Sequence, residues 1–216
     1  MRTIFLCRAC RARWVMQLAR RHSSVSVRTD HLPRFCQAVH DEPNELFRDF
    51  VWLALMTGQR RANVLAMTWQ EVDFTRREWR IPDTKNGTPH TVPLPAQALE
   101  ILSRRAQGTD GRYVFPGSGR SGHLVEPLKS WKRFVNRAGL DNFRIHDLRH
   151  TLASWQAGTG ASLPIIGKTL NHKSAASTQG YMHLFIDPVR QAMGLAVDAM
   201  LAAGAASEAE EVCAAH

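Results

Sequence analysis

The segment His146-Asp147-Leu148-Arg149-His150 decides how this chain is interpreted. His172 and the triplet Tyr181-Met182-His183 follow it, so imidazoles, a guanidinium and a phenol lie close together in the sequence. No pair of carboxylates nearby suggests a metal site. A guanidinium can bind nonbridging phosphate oxygens, an imidazole can donate a hydrogen bond or accept a proton, and a phenol can act as a nucleophile. The combination suits chemistry on a phosphodiester.

The composition indicates one globular domain with a polyanionic partner. The chain has 216 residues, of which 44% are hydrophobic, enough for one large domain with its own core. Its formal net charge is +9, and strongly basic proteins attract polyanions such as nucleic acids. No apolar run approaches the roughly 18 residues of a membrane span. Cys7 and Cys10 have the spacing of half a zinc site, but no second pair follows, so we predict no metal.

Apolar periodicity and turn residues predict a mainly helical fold with a small antiparallel β-sheet, an α+β class. A strongly apolar helix begins near Leu46 and ends at Thr57-Gly58, and a second helix extends from about Gln59 to Trp69. Lys85-Asn86-Gly87 separates two short strands, and Asn-Gly is a good hairpin signal because both residues tolerate a positive φ. Further helices are predicted over residues 96–105, 127–138, 146–157, 163–170 and 188–203.

From about Asp30 to Leu184 the chain resembles the catalytic domain of the tyrosine recombinases, the phage integrase family. The resemblance implies their DNA breaking-rejoining enzyme fold. It is carried by boxes that occur in the family's order: Thr57-Gly58-Gln59-Arg60, Thr84-Lys85-Asn86-Gly87, Val114-Phe115-Pro116, His146-Asp147-Leu148-Arg149-His150-Thr151, Leu170-Asn171-His172-Lys173-Ser174 and Thr178-Gln179-Gly180-Tyr181-Met182-His183-Leu184.

This resemblance implies a site-specific DNA recombinase or integrase that forms a 3′-phosphotyrosyl intermediate, from a phage or another mobile genetic element. It requires no metal and no cofactor. The resemblance implies six catalytic residues. Arg60 and Arg149 hold the phosphate, and Tyr181 is the nucleophile. His146 is the base or hydrogen-bond partner of the nucleophile, His172 a donor to the phosphate and Lys85 the general acid for the leaving oxygen. His150 and His183 are interpreted as supporting or packing residues.

Three positions depart from the family pattern. Asn63 stands where many relatives carry an acid that braces the site. Because an amide can still hydrogen-bond, we expect retuned activity rather than its loss. Asn171 stands where glycine is usual, and asparagine tolerates the left-handed conformation better than most residues. Gly180 replaces a frequent arginine and is expected to loosen the helix that presents Tyr181.

The predicted domain organisation has four parts. Residues 1–29 carry seven arginines and no acid, and are interpreted as a basic linker or remnant. Residues 30–187 form the catalytic domain, 188–204 a C-terminal helix, and 205–216 a disordered tail. Relatives exchange a C-terminal segment between protomers, and the helix is either that segment or folds back on its own domain. Relatives clamp DNA with a further N-terminal core-binding domain, and 29 residues are too few for one. The chain is therefore expected to be a truncated integrase.

The implied partners are double-stranded DNA, further copies of the chain in a tetramer, and accessory DNA-bending proteins, but no membrane. The implied location is the bacterial cytoplasm, at the nucleoid. Two alternatives stay open at this point. One is a catalytically inert DNA-binding fragment, and the other is a relaxing enzyme that resembles the type IB topoisomerases and shares their chemistry.

Overall fold

The computed structural model describes residues 31–84, 87–108, 111–140, 142–185 and 188–200. It confirms the predicted class, because helices dominate and a single three-stranded antiparallel sheet is present in the described chain. The predicted parts 1–29 and 205–216 lie outside the described residues. The helices are α1 (Leu32–His40), α2 (Glu45–Thr57), α3 (Arg61–Leu65), α4 (Ala96–Ala106), α5 (Leu128–Ala138), α6 (Asp147–Gly158), α7 (Leu163–Thr169) and α8 (Ala176–Gln179).

Helix α2 is the central helix of the fold. Its first turn is capped by Asn44, whose side-chain oxygen accepts a hydrogen bond from the Phe47 amide at 3.1 Å. It ends at Gly58, which adopts the left-handed conformation with φ of 63°. Its apolar residues, including Phe50 and Leu53, are fully buried, and the helix packs against α1, α4 and α6. Because α2 ends beside α6, Gly58 lies next to the first turn of α6, where its carbonyl accepts a hydrogen bond from Arg149.

An aromatic cluster joins α1, α2 and α5. The rings of Phe35 and Phe134 meet edge to face with centroids 5.4 Å apart, and Phe47 lies 6.2 Å from Phe134. The Trp131 indole donates a hydrogen bond to the Phe143 carbonyl at 3.0 Å, which ties the segment before α6 to α5. Each such aromatic pair contributes about 0.5–1.5 kcal/mol beyond its buried area. The cluster therefore fixes the start of α6 relative to the core.

The sheet has the strand order β1 (Val72–Asp73), β2 (Glu78–Ile81), β3 (His90–Pro93). Trp79 faces Val92 across the antiparallel β2–β3 pair, and both side chains are buried. This pairing confirms the predicted hairpin, whose turn carries Lys85 and Asn86 outside the described residues. The two-residue strand β1 was not predicted.

The second predicted helix is shorter than expected. The prediction that it extends to Trp69 was wrong, because α3 ends at Leu65 and a 3₁₀ turn covers Trp69–Glu71. After α3 the backbone at residues 67–69 forms hydrogen bonds with residues 112–114 instead. The Val114 amide donates to the Met67 carbonyl at 2.9 Å, and the Trp69 amide donates to the Arg112 carbonyl at 3.1 Å. These bonds replace the ones that a continued helix would make.

A smaller apolar cluster packs α6 against α7 and the segment that carries Tyr181. It contains Ala153, Ala157, Ile166, Leu170 and Tyr181. Small alanine side chains on α6 allow α7 and the tyrosine to approach closely. The cluster thereby buries the Tyr181 ring against α6, and a 3₁₀ turn (Met182–Phe185) follows it.

The C-terminal helix α9 covers residues 188–200 of the described chain. Its large apolar side chains are exposed: Val189, Met193, Leu195, Val197 and Met200. Four of them, at positions 189, 193, 197 and 200, have the spacing of one helical face. Among the described residues, no helix is long and apolar enough to cross a membrane.

Replacing Gly58 with alanine should destabilise the protein more than the same change at Gly139. Both residues end a helix in the left-handed conformation, with φ of 63° and 61°. A Cβ at Gly58 would lie 2.8 Å from a Leu152 methyl, whereas at Gly139 only the flexible Arg34 guanidinium is near, at 3.4 Å. We expect a loss of about 1–2 kcal/mol at Gly139 and about 1–3 kcal/mol more at Gly58, measured by urea unfolding. Equal losses at the two sites would contradict the packing account.

Candidate active site

Three segments that are distant in sequence meet at one site. The turn between α2 and α3 contributes Gly58 and Arg60. The start of α6 contributes its N-cap residue His146 and, in its first turn, Arg149 and His150, and the chain after α7 contributes His172 and Tyr181. Gln59 joins two of these segments, since its side-chain amide donates to the Thr57 and Thr169 carbonyls at 3.1 and 2.8 Å. Five of the six predicted catalytic residues are therefore within the described residues, and they share one region.

Arg149 is the best-anchored side chain of the site. Its guanidinium, in a side chain that is only 4% exposed, donates to the Gly58 carbonyl at 2.7 Å and to the Leu170 carbonyl. Burial, and then the charge of Arg60, lower its pKa to about 10. The guanidinium thus remains charged at neutral pH in a position set by two other segments of the chain.

Arg60 lies at the N-cap of α3 in an extended conformation and is partly buried. Its charge lowers the pKa of Arg149, and also those of His146 and His172. Within the described parts of the chain, neither Arg60 nor Arg149 forms an ion pair with a carboxylate. Two guanidiniums that repel each other and have no carboxylate partner form a site for an anion.

The imidazole of His172 has a hydrogen-bond partner at one of its two nitrogens, Nδ1, in the described chain. Its Nδ1 lies 3.0 Å from the Thr178 hydroxyl, and its backbone amide donates to the Gly167 carbonyl at 2.9 Å. Burial, Arg149 and Arg60 lower its pKa to about 4, so the ring is neutral at pH 7. With Nδ1 engaged by Thr178, Nε2 is the nitrogen through which the ring can contact a ligand.

Tyr181 is buried, with 8% of its surface exposed, and its hydroxyl oxygen lies 2.7 Å from His150 Nδ1. His146 was predicted as the base or hydrogen-bond partner of the tyrosine; the hydrogen-bond partner is His150 instead. His146 is one turn away on α6, and its ring meets the His150 ring edge to face with centroids 5.1 Å apart. Burial raises the pKa of Tyr181, while Arg149 opposes that shift. The phenol is protonated at neutral pH.

The predicted general acid Lys85 lies outside the described residues, but its predecessor Thr84 is anchored. The Thr84 hydroxyl donates to the Thr88 carbonyl at 2.9 Å and accepts a hydrogen bond from the Asn171 amide at 3.3 Å. Asn171 has φ of 51°, which confirms the left-handed conformation expected from its residue type. The base of the hairpin turn is thus bonded to the residue that precedes His172.

Two further residues lie near the site. His90 was missed by the sequence interpretation. Burial lowers its pKa, a hydrogen bond with the Thr169 backbone opposes that shift, and Arg149 and Arg60 add to it, while its buried Nε2 has no hydrogen-bond partner in the described chain. The signal that could have identified it is its place at the start of the strand that leaves the Lys85 turn. The buried Nδ2 of Asn63 has no hydrogen-bond partner among the described residues, and the expected retuning of activity stays a prediction.

The fold and the site together define a class, the catalytic domains of tyrosine recombinases. The profile of the phage integrase family matches residues 26–186. The chain therefore belongs to the phage integrase family. This result confirms the family resemblance seen in the sequence.

Individual relatives agree with this assignment. The chain is 29% identical to the integrase of Salmonella phage P22 over 166 residues, which are 70% of this chain and 43% of that protein. It is 28% identical to the prophage integrase IntF of Escherichia coli over 172 residues, which are 75% of this chain and 36% of that protein. The chain thus spans less than half the length of either relative.

Solved structures show the same fold. A crystal structure of the XerA recombinase superposes with a TM-score of 0.65 at 21% identity, covering 81% of this chain and 64% of that one. The catalytic domain of bacteriophage HP1 integrase gives a TM-score of 0.61 at 21% identity, covering 80% of this chain and 95% of that one.

The stability of the protein should decrease as the pH falls below about 6.5. His90, His146, His150 and His172 all have a pKa below the ordinary value of 6.5, to about 4 for His172. The unfolded chain then binds more protons than the folded one in mild acid, so the free energy of unfolding decreases. Urea midpoints at pH 7.5, 6.0 and 5.0 would measure this, and His172→Gln should flatten the slope. A midpoint that is unchanged or rises toward pH 5 would contradict it.

Proposed function

We propose that this chain is a tyrosine-type site-specific recombinase that cleaves and rejoins double-stranded DNA through a 3′-phosphotyrosyl intermediate. One observation carries the proposal. The paired guanidiniums of Arg60 and Arg149, which have no carboxylate partner in the described chain, share a site with a tyrosine whose hydroxyl is already hydrogen-bonded to an imidazole. Membership of the phage integrase family supports the same activity.

The two arginines would hold the nonbridging oxygens of one DNA phosphate. A phosphodiester resists attack because it is negatively charged, and further charge develops on these oxygens in the transition state. Planar guanidiniums match the oxygens with several donors and remain charged, which a histidine would not guarantee. The neutral ring of His172 would add a hydrogen bond from Nε2, since Thr178 occupies Nδ1. Removal of one such donor typically lowers the rate by about 10²–10³-fold.

Tyr181 would attack phosphorus with its hydroxyl oxygen. The bond between phosphorus and the tyrosine oxygen forms, the bond to the 5′ oxygen breaks, and the phenolic proton passes to a base. Lys85 would supply a proton to the leaving 5′ oxygen, which then becomes a free hydroxyl. Because one phosphoester replaces another, a hydroxyl from a second strand can reverse the step without metal or nucleotide.

DNA as the substrate is supported by charge and by relatives. The net charge of +9 would favour a polyanion and make binding depend strongly on salt. Solved relatives with TM-scores of 0.56 and 0.62 include a lambda integrase dimer bound to a core site and the XerH recombinase bound to its difH substrate. Such an activity would take place on DNA in the bacterial cytoplasm, at the nucleoid, on a phage or integrative element, and accessory DNA-bending proteins could assist it.

Tyr181→Phe should abolish covalent adduct formation, and Tyr113→Phe should not. The chain has only these two tyrosines, so they form a matched pair. The substrate is a nicked duplex carrying the chain's own site, selected by binding from a random-sequence pool, and the readout is a protein–DNA adduct on a denaturing gel. An adduct with the Tyr181 variant would overturn the proposal. Salt-sensitive binding without any adduct would indicate an inert DNA-binding fragment, and relaxation of plasmids without a specific site would indicate a topoisomerase-like enzyme.

The proposed organisation is a catalytic domain over residues 30–187, followed by a helix that a second copy of the chain covers. Support comes from α9, where Val189, Met193, Val197 and Met200 are between 45% and 65% exposed and occupy one face. Large apolar stripes of this kind mark interaction surfaces. On DNA, exchange of this helix between neighbours would assemble the proposed tetramer.

A charge on the apolar face of α9 should weaken self-association. We expect Met193→Asp to shift DNA-bound protein toward the monomer, because a carboxylate would have to be buried in the contact. Gln191→Asp is the matched control, since it adds the same charge on the opposite face of the same exposed helix. Analytical ultracentrifugation with duplex DNA would measure both. Equal association of the two variants would exclude this face as the contact.

A further inference from the structure

The contact between His150 and Tyr181 can run in either direction, depending on which imidazole nitrogen carries the proton. The hydroxyl oxygen and Nδ1 are 2.7 Å apart, and the tyrosine side chain forms no other hydrogen bond to the described residues. If Nδ1 donated, the phenolic proton would have no acceptor among the described residues. The phenolic hydrogen has an acceptor only when the phenol donates to Nδ1, and the imidazole proton then lies on Nε2. The resting contact thus already points the phenolic proton at an imidazole nitrogen.

The groups around His150 keep it unprotonated. Burial lowers its pKa most. Repulsion from His146, when that ring is protonated, and from Arg149 and Arg144 acts in the same direction, while Asp147 opposes it. His172, on the segment after α7, interacts with His150 as well. The ring is therefore available as a proton acceptor at neutral pH.

We propose that His150, rather than His146, accepts the proton that Tyr181 loses when its oxygen attacks phosphorus. This inference rests on the proposed function. As the bond from the tyrosine oxygen to phosphorus forms, the O–H bond breaks and its electron pair remains on oxygen. The proton moves to Nδ1 and gives a cationic imidazole, and the 5′ oxygen leaves with the proton from the general acid. Reversal returns the proton to the tyrosine when the DNA strand is rejoined.

His146 has a different place in this scheme. It forms no side-chain hydrogen bond within the described chain, and its ring is packed edge to face on His150. A cationic His150 is disfavoured beside Arg149, but a bound phosphate brings a negative charge that offsets this repulsion. The base would therefore become stronger when the scissile phosphate is in position. Until then the tyrosine would retain its proton.

The test separates proton transfer from positioning. In His150→Asn the amide oxygen occupies nearly the place of Nδ1, so it can accept the hydrogen bond from Tyr181 but cannot take its proton at neutral pH. We expect adduct formation on the nicked duplex to slow by about 10²–10⁴-fold with little change in DNA affinity. His150→Gln is the second variant should the first not fold. His40→Asn, at an exposed position on α1, is the matched control and should react like the parent protein.

A more acidic nucleophile should rescue the loss. Incorporation of 3,5-difluorotyrosine at position 181 lowers the need for a base, so it should accelerate His150→Asn much more than it accelerates the parent protein. A variant damaged only in packing would not show this difference. Adduct formation by His150→Asn at the parental rate, or an equal effect of fluorination in both proteins, would overturn the inference. A parent protein that forms no adduct would instead refute the proposed function.

Discussion

The site depends on the buried guanidinium of Arg149. Its two hydrogen bonds, to the carbonyls of Gly58 and Leu170, join the end of α2 and the end of α7 to the first turn of α6. Hydrogen bonds to a charged group contribute about 1.5–3 kcal/mol each, and here they also offset the cost of burying the cation. The same bonds fix where the positive charge lies. Gly58 can serve as an acceptor because it has no Cβ, which would contact Leu152 and keep α2 away from α6.

The remaining active-site contacts are arranged around this anchor. Leu170 precedes Asn171 and His172, so the bond to its carbonyl also places the loop that bonds the Thr84 hydroxyl. Tyr181 packs in the same small cluster as Leu170 and meets α6 one residue after Arg149. The arginine, the loop histidine and the tyrosine thus take their positions from one set of contacts. A change in any of these contacts would affect the geometry of the phosphate site as well as stability.

Local patterns predicted most of the fold, and distant contacts account for the errors. The spacing of His146, Arg149 and His150 indicated correctly that they share one region of a helix, and Asn171 adopts the left-handed conformation expected from its residue type. Spacing could not tell which imidazole meets Tyr181, because that depends on how α6 packs against a segment 31 residues away. The predicted second helix failed for the same reason, since the backbone near Met67 pairs with Val114. His90 was missed because only the folded chain brings it to the arginines.

Because the histidines have lowered pKa values, different residues of the site bind the phosphate and transfer protons. Arg149 loses its charge only near a pKa of about 10, whereas His172 is protonated only near about 4, so the fixed positive charge of the site comes from arginines over the whole range between. Between neutral pH and the pKa of Arg149, where the imidazoles are unprotonated, affinity for a phosphate then varies little with pH. A single substitution, by contrast, can change which imidazoles bind a proton without altering that positive charge. Substitutions at the imidazoles of such a site would change the rate of strand cleavage and leave the affinity for the DNA phosphate unchanged.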